Sequence, residues 1–232
     1  IYWGMDIFYF RVDHIINQCV AMEKDLLRIY PKLFGKTSHI YNPINIDLSN
    51  FSDKSFPSDK ENYILYIGRL EKEKAVHYII EAFSKIHTDY PDLRLRIVGK
   101  GSKEKSLKKF TESLNILNKV DFIGFTKNTA IEYSNAKVTV LSSLFEGFPN
   151  VLIESIAFGT PVVSFDCPSG PQEIIIEGTN GFLAKHLSAS DLAEKIILSL
   201  NTKFNKVKIK GTVEKFDSNI IINDYIQLIN SI

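Results

Sequence analysis

The sequence predicts an α/β protein built around one doubly wound parallel sheet. Short apolar runs rich in β-branched and aromatic residues alternate with longer amphipathic stretches from Asn62 onward. This alternation is typical of successive βαβ units, and strands that are buried on both faces read as continuous apolar runs. The chain has 232 residues, which is enough for one large domain with a buried core.

Six apolar runs are predicted to form the strands of this sheet. They are rich in Val, Ile, Leu, Tyr and Phe, the composition of strands that are covered on both faces. In chain order they are residues 63–67, 93–98, 120–124, 138–142, 161–165 and 181–184.

Apolar residues at helical spacing predict helices between and after these strands. They recur from Ala75 to Ile86, between the first two strands, with polar residues on the other side. The stretch from Ser188 to Asp191 has the composition of a helix N-cap and precedes a further amphipathic run. A last helix is predicted after Asp217.

The N-terminal part of the chain does not follow this rhythm. A short strand at 14–16 leads into a helix from about Gln18 to Ile29, which Pro31 ends. Residues 39–47 read as a strand that runs into a connection broken by proline, and the polar stretch that follows has no period. We therefore divide the chain into a domain remnant plus linker at 1–58, a main domain at 59–215 and a C-terminal helix at 216–232.

Composition excludes several classes of protein. The 28 Lys and Arg against 27 Asp and Glu leave a net charge of +1, so no summed field would attract nucleic acid. Only Cys19 and Cys167 are present, without the spacing of a disulfide framework or a zinc site, so we expect a cytoplasmic location and no metal. No apolar run reaches the ~20 residues that cross a bilayer, so we expect membrane contact, if any, to be peripheral, at the inner face. Because the chain starts at Ile1 rather than Met, we expect a piece of a longer protein.

Motifs of three other enzyme classes are incomplete. Gly35 to Ser38 resembles the end of a P-loop, but Tyr30 stands where that motif needs glycine. After Val98 the sequence begins like a dinucleotide fingerprint, yet Glu104 replaces its third small residue. The GxSxG pentapeptide of many Ser-His-Asp hydrolases does not occur. These sequences therefore argue against a P-loop enzyme, an NAD enzyme and a serine hydrolase.

The strongest chemical signal lies between Leu141 and Val163. It reads as a strand, a loop that holds Glu146 and a helix that starts near Pro149. A loop at the carboxyl end of a parallel strand that leads into a helix presents free amides and a positive dipole end to a phosphate. Glu154 lies about one turn along the helix on the face of Asn150. Since carboxylates accept hydroxyl protons in pairs, a nucleotide sugar with its diols and its diphosphate fits this pattern.

A second signal surrounds the end of the first strand of the main sheet at Gly68. Arg69 and Lys74 flank the turn that follows, and such a pair is suited to neutralise a diphosphate that gains negative charge as it departs. Because strand-end loops of one sheet converge on one crevice, we expect Arg69, Lys74, Glu146 and Glu154 to surround a single pocket.

In combination these motifs resemble the C-terminal domain of retaining family 4 glycosyltransferases, whose GT-B fold has two Rossmann-like domains. The resemblance spans about Tyr63 to Leu200 and implies a Rossmann-like doubly wound sheet, with a short remnant of the N-terminal domain at Val12 to Leu27. The motifs that carry it are Gly68-Arg69-Leu70 with Lys74, the turn Gly99 to Gly101, FIGFT at 122–126, Glu146 separated from Glu154 by seven residues, and PSGPQEIIIEGTNGF at 168–182.

The resemblance also implies roles for individual residues. Arg69, Lys74 and Glu146 are implied as catalytic, the first two at the donor diphosphate and Glu146 at the transferred sugar, while Glu154 would hold the ribose. The base is implied to lie near 124–126, held largely through the backbone. The implied donor-binding set is Gly68, Arg69, Lys74, Gly99, Phe125, Thr126, Glu146, Gly147, Phe148, Pro149, Asn150 and Glu154. Ala75 stands where the family usually has glycine, a change that we expect to be mild because alanine favours helices.

The leading functional hypothesis is a glycosyltransferase that transfers a hexose or N-acetylhexosamine with retention of configuration. The resemblance implies no metal and no cofactor beyond the nucleotide-diphosphate sugar, with UDP-sugar favoured, and an acceptor glycan or lipid-linked sugar in surface polysaccharide or glycolipid assembly. One alternative is a truncated, non-catalytic nucleotide-sugar-binding module or subunit. Another is a glycosidase that uses Glu146 and Glu154, although that hypothesis leaves Arg69 and Lys74 unexplained.

Overall fold

The computed structural model describes residues 9–44 and 61–231. The chain divides into two compact units, residues 1–45 with 214–232 and residues 46–213. Residues 1–8, most of the predicted linker up to Ser58, and the end of the predicted stretch 39–47 lie outside the described residues.

The smaller unit contains a short parallel strand pair and a helix. Ile15 pairs with Thr37 and Asn17 with His39, so the second strand begins two residues before the sequence prediction and ends at His39. The elements are β1 (Ile15–Asn17), α1 (Val20–Ile29) and β2 (Thr37–His39).

The larger unit contains the six predicted strands, each within one residue of its predicted bounds. Helices connect or follow them, as the alternating pattern predicts. The elements are β3 (Tyr63–Ile67), α2 (His77–Ile86), β4 (Arg94–Val98), α3 (Glu104–Ser113), β5 (Val120–Gly124), α4 (Thr129–Asn135), β6 (Val138–Leu141), α5 (Asn150–Ala157), β7 (Val162–Phe165), α6 (Pro171–Ile174), β8 (Gly181–Ala184), α7 (Ala189–Asn201) and α8 (Lys206–Gly211). The chain then returns to the smaller unit with α9 (Ser218–Ser231), close to the predicted C-terminal helix.

The sheet is parallel throughout, with the strand order β5-β4-β3-β6-β7-β8. Numbered within the sheet this is the order 3-2-1-4-5-6 of a Rossmann-like fold, so the predicted fold class is confirmed. The chain direction across the sheet reverses between β3 and β6. Ligands of such sheets bind at this switch point, beyond the carboxyl ends of the strands.

Apolar side chains cover both faces of the sheet. On one face α2 and α7 contribute fully buried residues such as Ile80, Phe83 and Ile196, which pack over β3 and β6. On the other face Tyr133 of α4 and Phe158 stack with ring centroids 6.0 Å apart beside Leu65 of β3. Burial on both faces explains why β3, at the centre of the sheet, reads as an unbroken apolar run in the sequence.

The start of the helix α2 differs from the prediction. Ala75 was predicted to lie in the helix, but α2 begins at His77 and Ala75 has left-handed backbone angles, φ 46° and ψ 39°, at the end of a 3-10 turn from Lys72 to Lys74. The apolar periodicity includes Ala75 because its methyl group is buried, with 2% exposure, and periodicity reports burial rather than backbone angles.

Candidate active site

The predicted charged residues come from loops that follow β3 and β6, the two strands at the switch point. Lys74 lies seven residues after the end of β3, and Glu146 lies five residues after the end of β6. Lys74 Nζ and Glu146 Oε1 form an ion pair at 2.7 Å, and the two side chains are only 20% and 10% exposed. Ser143 Oγ donates a second hydrogen bond to the same carboxylate oxygen at 2.5 Å. A buried pair of this kind holds both charges in a fixed position at the place where a ligand is expected.

Hydrogen bonds to the main chain tie these loops together. The amide of Leu144 donates to the carbonyl of Glu73 at 2.8 Å, and the hydroxyl of Ser142 reaches the carbonyls of Lys74 and Ala75 at 3.0 and 3.1 Å. On the other side, the amide of Glu146 donates to the carbonyl of Pro168, at the end of the loop that follows β7, at 3.3 Å. Three strand-end loops therefore form one connected structure around the ion pair.

The backbone at Ala75 changes the interpretation of this departure from the family pattern. The expectation of a mild change rested on helix propensity, and that reason is wrong because Ala75 is not helical. Its left-handed conformation favours glycine, and a side chain there costs about 1 kcal/mol or more. The hydrogen bond from Ser142 to the carbonyl of Ala75 helps to hold this conformation.

An open cavity of about 500 Å³ lies beyond the ends of β3, β4 and β5. Five residues of the predicted donor-binding set line it, and so do Lys100 and Thr129, which the sequence analysis did not identify. The predicted residues in its wall are Gly68, Arg69, Gly99, Phe125 and Thr126. Arg69 is 71% exposed there and pairs with Glu73 at 2.9 Å, and Phe125 is 70% exposed.

Close contact between main chains determines the floor of this cavity. Gly99 has φ 139°, and a Cβ atom at that position would overlap the carbonyl oxygen of Gly68. The amide of Gly68 donates to the carbonyl of Val98 at 3.0 Å, which holds the two strand ends at this separation. Tyr66 Oη donates to the carbonyl of Arg69 at 2.8 Å, and burial raises the pKa of this phenol. Glycine at 99 is therefore required by packing alone.

Glu154 is held by a residue that the sequence analysis missed. Tyr133 of α4 donates a hydrogen bond to Glu154 Oε2 at 2.8 Å, and burial, followed by the charge of Glu154, raises the pKa of the phenol well above its usual value. The phenol therefore remains a proton donor to the carboxylate at neutral pH. No local signal marks Tyr133, because the contact joins residues 21 positions apart on two helices.

The remaining predicted residues lie at the start of α5. Pro149 precedes the first helical residue, Asn150, close to the predicted helix start. Gly170 has φ 85° and comes so close that a Cβ atom there would lie 2.5 Å from the Pro149 ring. Phe148 is buried, with 6% exposure, so its ring packs inside the protein. Any contact of a ligand with Phe148 therefore involves its main chain.

Cys167 lies close to the ion pair but has no nucleophilic character. Burial, with a contribution from the charge of Glu146, raises the pKa of its thiol to about 12. The thiol is therefore protonated at neutral pH, and a thiolate is the reactive form of cysteine.

The structure brings the predicted charges together in part. Lys74 and Glu146 are in contact, Arg69 lies on the same loop as Lys74 and lines the cavity, and Glu154 contacts Tyr133. The residues that line the cavity do not include Lys74, Glu146 or Glu154. Within residues 9–44 and 61–231 no three His, Cys, Asp or Glu side chains gather as metal ligands would, and no helix has the length and apolarity to span a membrane.

The strand order and the position of the charged loops define a Rossmann-like α/β protein whose ligand crevice lies at the switch point. Residues 49–215 match the family described as Glycosyl transferases group 1. The chain belongs to this family, which confirms the family resemblance at that level.

Relatives with assigned activities include a transferase of Campylobacter jejuni. This N-acetylgalactosamine-N,N'-diacetylbacillosaminyl-diphospho-undecaprenol 4-alpha-N-acetylgalactosaminyltransferase is 30% identical over 226 residues, which cover 95% of this chain and 60% of the relative. The chain covers still less, 39% and 44%, of two uncharacterized glycosyltransferases from Haemophilus influenzae and Methanocaldococcus jannaschii. It therefore spans less than two thirds of each of these curated relatives.

Solved structures show the same fold. The apo form of the lipopolysaccharide outer core galactosyltransferase WaaB superposes with a TM-score of 0.80 at 24% identity, covering 95% of this chain and 62% of that one. Anabaena Alr3699/HepE in complex with UDP and glucose superposes with a TM-score of 0.84 at 19% identity, covering 99% of this chain and 66% of that one. At these identities the likeness concerns the fold and not the substrate.

Proposed function

We propose that the chain is the donor-binding part of a glycosyltransferase that transfers a hexose or N-acetylhexosamine from a nucleotide-diphosphate sugar, with UDP-sugar favoured. The acceptor is a glycan or lipid-linked sugar in surface polysaccharide or glycolipid assembly. Family membership supports the reaction class. The observation that carries the proposal is the buried pair of Lys74 and Glu146 at the switch point of the sheet.

The open cavity is assigned to the nucleotide. Its volume of about 500 Å³ lies within the usual range of about 300 to 1,000 Å³ for small-molecule sites. Phe125 and Thr126 would contact the base, largely through the backbone, and Glu154 would accept hydrogen bonds from the ribose hydroxyls. A UDP-sugar, which the motif resemblance favours, is the first donor to test.

Charge stabilisation is the main catalytic effect in this proposal. The diphosphate would leave toward Arg69, Lys74 and the amides at the start of α5, while Glu146 and the main chain of Gly147 and Phe148 hold the sugar. In the structure Lys74 bonds Glu146, so a phosphate oxygen that reaches Lys74 would share this cation with the carboxylate. The proposed transfer proceeds with retention, on one face of the sugar, and without a metal.

Calorimetric titration of the chain with UDP-glucose, UDP-N-acetylglucosamine and GDP-mannose tests donor binding. Arg69→Ala and Glu154→Ala should each weaken the preferred donor by about tenfold or more, because each removes a charged hydrogen-bond partner. Arg94→Ala is the matched control, since Arg94 lies at the amino end of β4, away from the proposed site at the carboxyl ends, and pairs with Asp121. Unchanged affinity in both site variants would refute the assignment.

The catalytic role of Arg69 requires a rate measurement on the whole enzyme. Arg69→Ala should lower kcat by about a hundredfold, the scale for a lost group that stabilises developing charge. A change confined to KM would instead assign Arg69 to ground-state binding.

A non-catalytic nucleotide-sugar-binding module is the second candidate, since the same cavity and charges could hold a donor without transfer. Sugar transfer by the purified chain alone would eliminate it. The glycosidase hypothesis gains no support, because Glu146 already accepts hydrogen bonds from Lys74 and Ser143. For either candidate we propose a cytoplasmic location with at most peripheral membrane contact at the inner face.

A further inference from the structure

A second, smaller cavity lies at the amino ends of the strands of the same sheet, whereas the proposed donor site lies at their carboxyl ends. The smaller cavity has a volume of about 210 Å³ and is lined by residues that precede β6 and β7, by the last turn of α7 and by the segment that follows it. Lys137 comes directly before β6, and Pro161 directly before β7, so this cavity, which we call the basal cavity, faces away from the proposed donor site. Ser199, Phe204 and Lys206 also line the basal cavity.

An unpartnered buried hydroxyl marks the basal cavity as a binding site. Ser199 is 4% exposed and its Oγ has no hydrogen-bond partner. Two other hydroxyls of this unit donate to the carbonyl four residues earlier at 2.7 Å, namely Thr111 in α3 and Thr202 at the end of α7 itself. The hydroxyl of Ser199 makes no such hydrogen bond to the carbonyl four residues earlier. Buried polar atoms are nearly always satisfied, so a partner from outside the chain is the physical explanation.

The charge around the basal cavity indicates the sign of this partner. Lys137 and Lys206 both line it, and within the described residues no carboxylate forms an ion pair with either. Residues 199–213 contain four lysines and no acidic residue, whereas the whole chain is nearly neutral. The lysines also lie near the ends of α5 and α7, where cations balance the helix dipoles, but that balance leaves the Ser199 hydroxyl unexplained.

The size of the basal cavity limits the ligand. About 210 Å³ is roughly the liquid volume of seven water molecules and lies below the usual range for drug-sized ligands. A single tetrahedral oxyanion fits this volume. Its oxygens accept hydrogen bonds, which is what two ammonium groups and a hydroxyl offer.

We infer that the basal cavity binds a phosphate group, held by Lys137, Lys206 and Ser199, in a site that is distinct from the donor site. The phosphate belongs either to a soluble phosphate ester or to a lipid headgroup. This inference does not depend on the proposed glycosyl transfer, because Lys137, Ser199 and Lys206 lie at the end of the domain opposite to the proposed donor site.

Inorganic phosphate is the first probe. Titration of the isotope-labelled chain should produce saturable amide shifts at Gly159, Ser199 and Lys206 with a millimolar dissociation constant. The double variant Lys137→Ala, Lys206→Ala should raise this constant at least tenfold, and Ser199→Ala about three- to tenfold. Lys208→Ala is the matched control on the same helix, and it should change the constant less than twofold because Lys208 does not line the basal cavity.

Vesicles distinguish the two sources of the phosphate. Flotation with phosphatidylcholine vesicles, with and without phosphatidylglycerol, should show binding to the anionic vesicles only if a lipid headgroup is the source, and inorganic phosphate should then compete. Phosphate binding without vesicle binding would assign a soluble ester. Absence of both kinds of binding, or binding that the double variant retains, would overturn the inference.

A stability measurement separates the site from a folding role of Ser199. Without phosphate, Ser199→Ala should leave the urea midpoint unchanged or raise it, because the variant removes an unpartnered polar atom. With phosphate, the wild-type chain should gain more stability than the variant. A lower midpoint for the variant without phosphate would show that the hydroxyl is already bonded within the protein and would overturn its assignment to the ligand.

Discussion

The loops at the carboxyl ends of the two halves of the sheet differ in structure: main-chain atoms form the floor of one region, and polar side chains form the other. Beyond β3, β4 and β5 the open side, with Gly68 and Gly99, is a cavity whose floor is main chain and in which the side chains of Arg69 and Phe125 are exposed. Beyond β6 and β7 the closed side, with Glu146 and Ser143, is a cluster of buried polar side chains that bond one another and Lys74. A ligand would therefore meet a cavity of defined shape on the open side, and charged groups held in a fixed position on the closed side.

Glu146→Ala should have the largest effect, because it leaves the Lys74 ammonium buried without its carboxylate. We expect a loss of about 3 to 4 kcal/mol in the free energy of unfolding, measured by urea denaturation. Glu73→Ala is the control, since it removes the carboxylate from an ion pair of similar length whose arginine is 71% exposed, and it should cost less than about 1 kcal/mol. Equal losses would show that burial does not distinguish the closed side from the open side.

Gly99→Ala should have the next largest effect, because the added methyl group overlaps the carbonyl oxygen of Gly68. We expect a loss of about 2 to 3 kcal/mol in thermal or urea unfolding, together with weaker nucleotide binding. Gly178→Ala is the matched control, since Gly178 also has a positive φ, 72°, but no atom within 4 Å of an added Cβ. If both variants lose the same stability, then backbone conformation rather than close approach explains the requirement for glycine.

Tyr133→Phe should cost about 1.5 kcal/mol, because it removes the hydrogen bond to a charged acceptor, Glu154. The same variant should weaken donor binding, since Glu154 would lose its orientation. In the control Tyr90→Phe, the lost hydroxyl accepts an exposed hydrogen bond from Asn201, and urea unfolding should change by less than about 0.5 kcal/mol. A loss of stability with unchanged donor affinity would assign Tyr133 to folding alone.

Asp121→Asn should have the smallest effect, although Arg94 and Asp121 are as close, at 2.6 Å, as the pair on the closed side. The side chains are 42% and 30% exposed, so we expect a loss below about 1 kcal/mol at pH 7. The hydrogen bond from Arg94 lowers the pKa of Asp121. The pair therefore contributes its stability above the usual carboxyl pKa of about 3.9 and loses it as the pH falls through the lowered value.

A series of unfolding curves between pH 2 and pH 7 tests this pH dependence. The difference between the wild-type chain and Asp121→Asn should be constant from about pH 5 to pH 7 and should shrink below about pH 4. A difference that grows as the pH falls would have the wrong sign and would contradict the assigned pKa shift.

Most of the fold could be predicted because burial on both faces of a sheet leaves a local signature. The run at 63–67 is apolar throughout, and the run at 138–142 is apolar except for Thr139 and Ser142; each became a strand. The same signature was misleading at Ala75, where burial was interpreted as helix although the backbone is left-handed. Backbone angles at a single turn depend on contacts such as the one from Ser142, which is 67 residues away.

The sequence predicted which residues belong to the candidate site, but not which of them contact one another. Charged residues after β3 and β6 pointed to the switch point, yet the direct bond between Lys74 and Glu146 depends on the position of β3 beside β6, which sequence periodicity does not encode. Tyr133 was missed because a tyrosine in an amphipathic stretch has the same pattern whether its hydroxyl meets solvent or a carboxylate. The role of each site residue in transfer stays a prediction until binding and rates are measured.

The close main-chain contact between Gly68 and Gly99 limits which substitutions could alter the ligand preference of the open cavity. Main-chain atoms in close contact have a separation that their van der Waals radii and the hydrogen bond from Gly68 to Val98 set, so no choice of side chain can narrow or widen that part of the pocket. Substitutions can alter only the upper walls, at positions such as Lys100, Phe125 and Thr129. A search for variants with new nucleotide preference should therefore randomise these three positions and leave the floor untouched.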